Sequence, residues 1–158
     1  MSRATAIAER VGKITDEVIT LVEGLTEDQL KKTTAPEHWS VAVLAHHIAT
    51  SNPAVAGLAS AIAAGHPVPS FTMDMIHAGN AQHATEFSNI AKADLLAALR
   101  DASAKSAAMV GGLSDESLDK SAEVLTGMPA MTVEQVIEGI IIQHTREHLD
   151  SAKATLAG

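Results

Sequence analysis

The stretch ATAIAERVGKITDEVITLVEG, Ala4 to Gly24, decides the fold class. Ile7, Val11, Ile14, Val18, Leu21 and Leu25 recur at alternating spacings of four and three, the apolar seam of a helix packed in a bundle. A first helix is expected from about Ala4 to Gly24. Beyond the next loop, Ser40 offers an N-cap to a second helix over Val41 to Ala64, with Val41, Leu44, Ile48, Val55, Leu58 and Ile62 on one face and a kink near Pro53. GHPVPS from Gly65 breaks the pattern, and Met73, Ile76, Asn80, His83 and Phe87 then follow at helical spacing. Leu96, Leu99, Ser103, Ser106, Val110 and Leu113 mark a third long helix. A fourth opens at Thr132, with Gln135 in capping-box position, and carries Val133, Ile137, Ile140 and Ile141. No segment alternates like a strand. The expected fold is all-α, a four-helix bundle in one domain over residues 1–158, with an extra short helix in the crossover between the second and third long helices.

GLTEDQLKK at Gly24 and GLSDESLDK at Gly112 match position for position. Two related helical hairpins would produce this, and so would two good turn sequences, each with a glycine at a helix end and Thr26 or Ser114 as the next cap. The crossover is long enough to span the bundle, so simple up-down connectivity is not assured.

Composition narrows the chemistry. In 158 residues there are no cysteines, eight histidines, one tryptophan and no tyrosine, and the formal net charge is −8. Disulfides, zinc-thiolate clusters and a thiol nucleophile of the chain's own are excluded, and an acidic chain is a poor partner for nucleic acid. The N-terminus is charged from Arg3 and has no apolar run with a cleavage site. The most apolar stretch, Ala54 to Ala64, is interrupted by Gly57 and Ser60 and falls short of the roughly 20 residues a bilayer needs. A cytoplasmic protein without a membrane partner is expected.

At about 100° per residue, Ile137, Ile141, His144, His148, Ser151 and Thr155 fall within roughly 40° of one another, which places both histidines on the buried stripe of the last helix. Spaced i, i+4, they present two imidazoles to one point, the geometry of a shared metal ion. The competing reading is a pair of core histidines bonded to carboxylates or carbonyls. On the second helix His46 and His47 diverge by about 100°, so only one can face inward. His47 borders the stripe of Ile48, Ser51 and Val55, which makes it the third candidate ligand and leaves His46 at the rim or surface. Asn80 and His83 share the inward stripe of the crossover helix and are candidate pocket-lining residues, whereas His38, His66 and His77 are expected in solvent. No catalytic residue is assigned.

HWSVAVLAHHIA from His38, followed by HTREHLD from His144, resembles the DinB-like family of four-helix-bundle metalloenzymes. In that family a Trp-Ser/Thr turn opens the second helix, a histidine eight residues after the tryptophan is one metal ligand, and an HxxxH on the last helix supplies two more. Counting from Trp39 reaches His47. The stretch from His77 to Ala84 also resembles the family's crossover segment.

The resemblance implies a divalent metal (zinc, nickel or iron) and often a homodimer. Its relatives include thiol transferases using bacillithiol or glutathione and the mycothiol-dependent maleylpyruvate isomerase. An open cationic site suits an external low-molecular-weight thiol or water acting on a small electrophilic substrate. The other reading is a non-catalytic dimeric metal-binding bundle with a stabilising or sensing role. A carboxylate-bridged di-iron bundle is set aside, because the paired Glu-x-x-His helices are missing. Ile142, Leu149 and Leu156, recurring every seven positions about 120° from the histidines, form a second apolar line, either core or a homodimer contact.

Overall fold

Most of the longer helices start at a side-chain cap. Ser2, Ser40, Thr72 and Thr132 each accept a hydrogen bond from the backbone N–H three residues on, and at Thr132 the Gln135 side chain returns the bond to complete a capping box. The computed structural model describes residues 1–158. In chain order it contains α1 (Arg3–Glu23), α2 (Glu27–Leu30), α3 (Val41–Ala63), α4 (Met73–Glu86), α5 (Lys92–Gly111), α6 (Val133–Val136) and α7 (His144–Ala157). The last two are joined without interruption by a π-helical segment, Ile137–Gln143. Helix α3 runs unbroken through Pro53. No helix is long and apolar enough to cross a membrane.

The four long elements form a bundle in which α1 packs chiefly on α5, α5 also packs on α3, and the π segment with α7 closes against α3 and α1. Consecutive helices α1 and α3 barely touch, so the order around the bundle is not up-down. The crossover containing α4 makes this possible. Two two-residue strands, β1 (Ser121–Ala122) and β2 (Met131–Thr132), pair antiparallel, and they are too short to show an alternating pattern.

The repeated nonapeptides form equivalent connectors. Lys32 carbonyl accepts from Val41 N–H at 2.9 Å and Lys120 carbonyl from Val133 N–H at 2.8 Å. Each connector thus passes through a short helical turn, buries Leu30 or Leu118, and ends at the first residue of a helix, α3 or α6.

Two apolar clusters fill the bundle. One contains Val18, Val22, Leu44, Ile48, Leu99 and Leu149; the other contains Val11, Ala59, Ile62, Val110, Ile137 and Ile141. Four polar residues, Thr15, Asn52, Ser106 and Thr145, one on each long element, are buried at 0% exposure. Asn52 and Thr145 bond each other twice, Nδ2 to Oγ1 at 3.1 Å and Oγ1 to Oδ1 at 3.3 Å, which ties α3 to α7.

The π segment corrects the expected face of the last helix. Its fully buried line is Ile137, Ile141, Thr145, Leu149 and Ala152. A π turn takes more residues than an α turn, so steps of four stay on one face, and Thr145 and Leu149, not His144 and His148, continue the core line. Leu149 is 1% exposed, with Ile142 and Leu156 packed against the two clusters. Leu149, the middle residue of the second apolar line, therefore belongs to the core of the chain itself.

Candidate metal centre

Three imidazoles meet where α3 and α7 pass each other. His47 is delivered by the first half of α3, whose residues Val41 to Ala49 are all buried. His144 and His148 lie one turn apart on α7, flanking its core line. Their ligand-capable nitrogens all lie within 4.8 Å of one another. Ring centroids of His47 stand 5.4 Å from His144 and 5.3 Å from His148, and the two α7 rings are 4.2 Å apart.

The loop before α3 supplies what periodicity could not show. Thr34 N–H and Oγ1 both donate to Trp39 carbonyl, and His38 takes a left-handed φ of 59°. This tight loop sets Trp39 against His47, with centroids 5.2 Å apart, and directs Glu37 at α7. Glu37 Oε1 accepts from His148 Nδ1 at 3.0 Å, and Ser151 Oγ donates to Oε2 at 2.7 Å. Burial alone would raise the Glu37 pKa, but hydrogen bonds from Ser151, Thr34 and His148 outweigh it and hold the carboxyl below its ordinary value. An ionised carboxylate only accepts, so His148 carries its proton on Nδ1, and in the neutral ring Nε2 presents a lone pair.

That lone pair faces His144 Nε2 at 2.9 Å. His144 donates across this gap, which leaves its Nδ1 as a buried acceptor without a partner. The pKa of His47 is pushed down to about 3 and that of His144 to about 4, by burial first and then by the neighbouring imidazoles. Both are therefore unprotonated at neutral pH, the state in which imidazole binds metal. Three converging imidazoles, one held by a carboxylate behind it, fit a divalent ion that keeps open positions.

His47 and His144 also border a cavity of about 390 Å³. Val55 and Leu58 of α3, Ile76 and Asn80 of α4, and Val124 and Ile140 form much of its wall. Helix α4 roofs it without burying any residue of its own.

Asn80 lines this cavity, as its position on the stripe suggested, but His83 does not. His83 Nε2 lies 2.9 Å from His46 Nδ1, and the two rings stack at 5.1 Å beside Phe87. His46 itself is 6% exposed, not at the surface. Helical geometry alone gives His46 an outward side, whereas α3 is covered at this level by the bundle on one side and by α4 on the other. His38, His66 and His77 are exposed.

A crossed four-helix bundle with one inward histidine on its second long helix and two on its last belongs to the class of bundles able to hold a metal ion through imidazoles alone. The chain belongs to the DinB superfamily, whose family model matches residues 12–152. No curated protein sequence matches it. Its fold is similar to that of YfiT from Bacillus subtilis, described as a probable metal-dependent hydrolase with an unusual four-helix bundle topology. The TM-score is 0.76 at 16% identity, over 98% of this chain and 87% of that one.

Proposed function

We propose that the protein is a divalent-metal-dependent hydrolase in which His47, His144 and His148 hold one zinc, nickel or iron ion and a small-molecule substrate occupies the adjoining cavity. The observation that carries this reading is the convergence of three imidazoles, two of which border a cavity, with Glu37 bonded to Nδ1 of the third. An ion bound there supplies Lewis acidity, which makes a nucleophile of water at neutral pH and polarises a carbonyl oxygen. The chain's own part is orientation and exclusion. Glu37 and Ser151 hold His148, Trp39 packs on His47, and the apolar walls displace water from the substrate side.

An external low-molecular-weight thiol is the other nucleophile such a centre would serve, giving a transferase, and a non-catalytic metal site is the remaining alternative. The test is metal content and turnover measured together, with protein loaded in turn with zinc, nickel and iron. Uncharged 4-nitrophenyl esters are offered with and without glutathione or bacillithiol. Hydrolysis without thiol, reduced at least about 100-fold with the metal in His47→Ala, is the expected result. Turnover that requires thiol identifies a transferase, and one ion per chain without turnover identifies a metal-binding bundle.

A further inference from the structure

The cavity beside the triad has a composition that says what it takes. Of its twelve lining residues, eight are apolar and the other four are His47, His144, Ser51 and Asn80. No lysine, arginine, aspartate or glutamate reaches it. Glu37, the charged group nearest the imidazoles, lies behind His148 and is already bonded to His148 and Ser151. At about 390 Å³ the space lies toward the small end of ligand pockets.

We propose that this site selects a small, uncharged, largely apolar carbonyl compound, such as an aliphatic or aryl ester. It rejects molecules that carry an ionised group away from the reacting centre, the polycarboxylate thiols among them. The proposal rests on the hydrolase reading above. A second charge on the ligand would meet aliphatic side chains with no partner, which weakens its binding by about 10- to 100-fold. Asn80, on the roof helix, offers a neutral donor and acceptor to the ligand's one polar group. In hydrolysis of such an ester, water oxygen bonds to the acyl carbon and the acyl–oxygen bond breaks. The leaving oxygen takes one proton of the water and departs as the alcohol.

Two matched pairs of probes test the proposal on the metal-loaded protein. The first is 4-nitrophenyl hexanoate against mono-4-nitrophenyl adipate, in which a carboxylate replaces the terminal methyl. The second, read by fluorescence without turnover, is N-phenyl-1-naphthylamine against 8-anilinonaphthalene-1-sulfonate. The hexanoate is expected to exceed the adipate in kcat/KM on the order of 100-fold, and the naphthylamine to bind at least about 10-fold more tightly than the sulfonate. Ile76→Arg places a cation in the wall from a helix that buries no residue, so the fold should tolerate it, and it should narrow both ratios. Ratios near one, or ratios that Ile76→Arg leaves unchanged, overturn the proposal. If neither ester turns over while the naphthylamine preference holds and responds to Ile76→Arg, hydrolysis is wrong and the selectivity of the cavity stands. Turnover without preference leaves the hydrolase and removes the selectivity.

Discussion

Glu37 shows how much of the centre depends on one side chain outside the ligands. Its carboxylate orients His148, so Glu37→Ala should weaken zinc binding about 10- to 100-fold, read by competition with a chelator, while circular dichroism stays near wild type. An unchanged affinity would show that His148 needs no support. His46 behaves differently, because it holds α4 through His83 and is not one of the three converging imidazoles. His46→Ala should keep metal and lose about 1–3 kcal/mol of stability in urea unfolding, since His83 is left half-buried and unpaired. The pH dependence of the metal-free protein follows from His47 and His144. Their folded values, about 3 and about 4, lie below the roughly 6.5 of an unfolded histidine. Between about pH 6.5 and 3 the unfolded chain therefore binds protons that the folded chain refuses, so stability is full above this window and falls as pH drops through it. Thermal melts across the window check the sign, and a His47→Leu, His144→Leu double variant should flatten the slope.

The buried pair Asn52 and Thr145 ties α3 to α7 beside the converging imidazoles. Asn52 lies five residues after His47 and Thr145 directly follows His144, so their paired hydrogen bonds lock the relative height of α3 and α7 at the centre. Breaking one side of a buried pair costs more than replacing both by apolar groups of similar shape. Thr145→Val alone should cost about 1–3 kcal/mol, whereas Thr145→Val with Asn52→Leu should recover much of that loss. If the pair specifies register, the double variant regains stability without regaining zinc affinity. If it contributes stability alone, both return together. The π segment works on the same junction, because its wider turns bring Thr145 and Leu149 onto the core line and leave the histidines beside it.

At the scale of the whole chain, metal and fold are linked, since an ion that binds only the native state stabilises it. Free zinc at 100 times its Kd should add about 2.7 kcal/mol and raise Tm by several degrees, and the His47→Ala variant should show little of that rise. Leu149→Asp should unfold the chain, because Leu149 is buried against α1 and α3. The sequence made the bundle legible where burial is one-sided. The α1 seam, the caps at Ser40 and Thr132 and the inward turn of His47 all follow from regular helical geometry. Where helices are covered on two sides or depart from 3.6 residues per turn, the same geometry misleads, as at His46 and Leu149. Glu37 sits in a loop with no periodicity, so only its place two residues before Trp39 could have pointed to it. Whether three imidazoles hold one divalent ion can be read from an anomalous difference map of a crystal grown with zinc. One peak per chain is expected, about 2.0–2.1 Å from a nitrogen of each of His47, His144 and His148. A peak at His46 and His83, or none between α3 and α7, would contradict this.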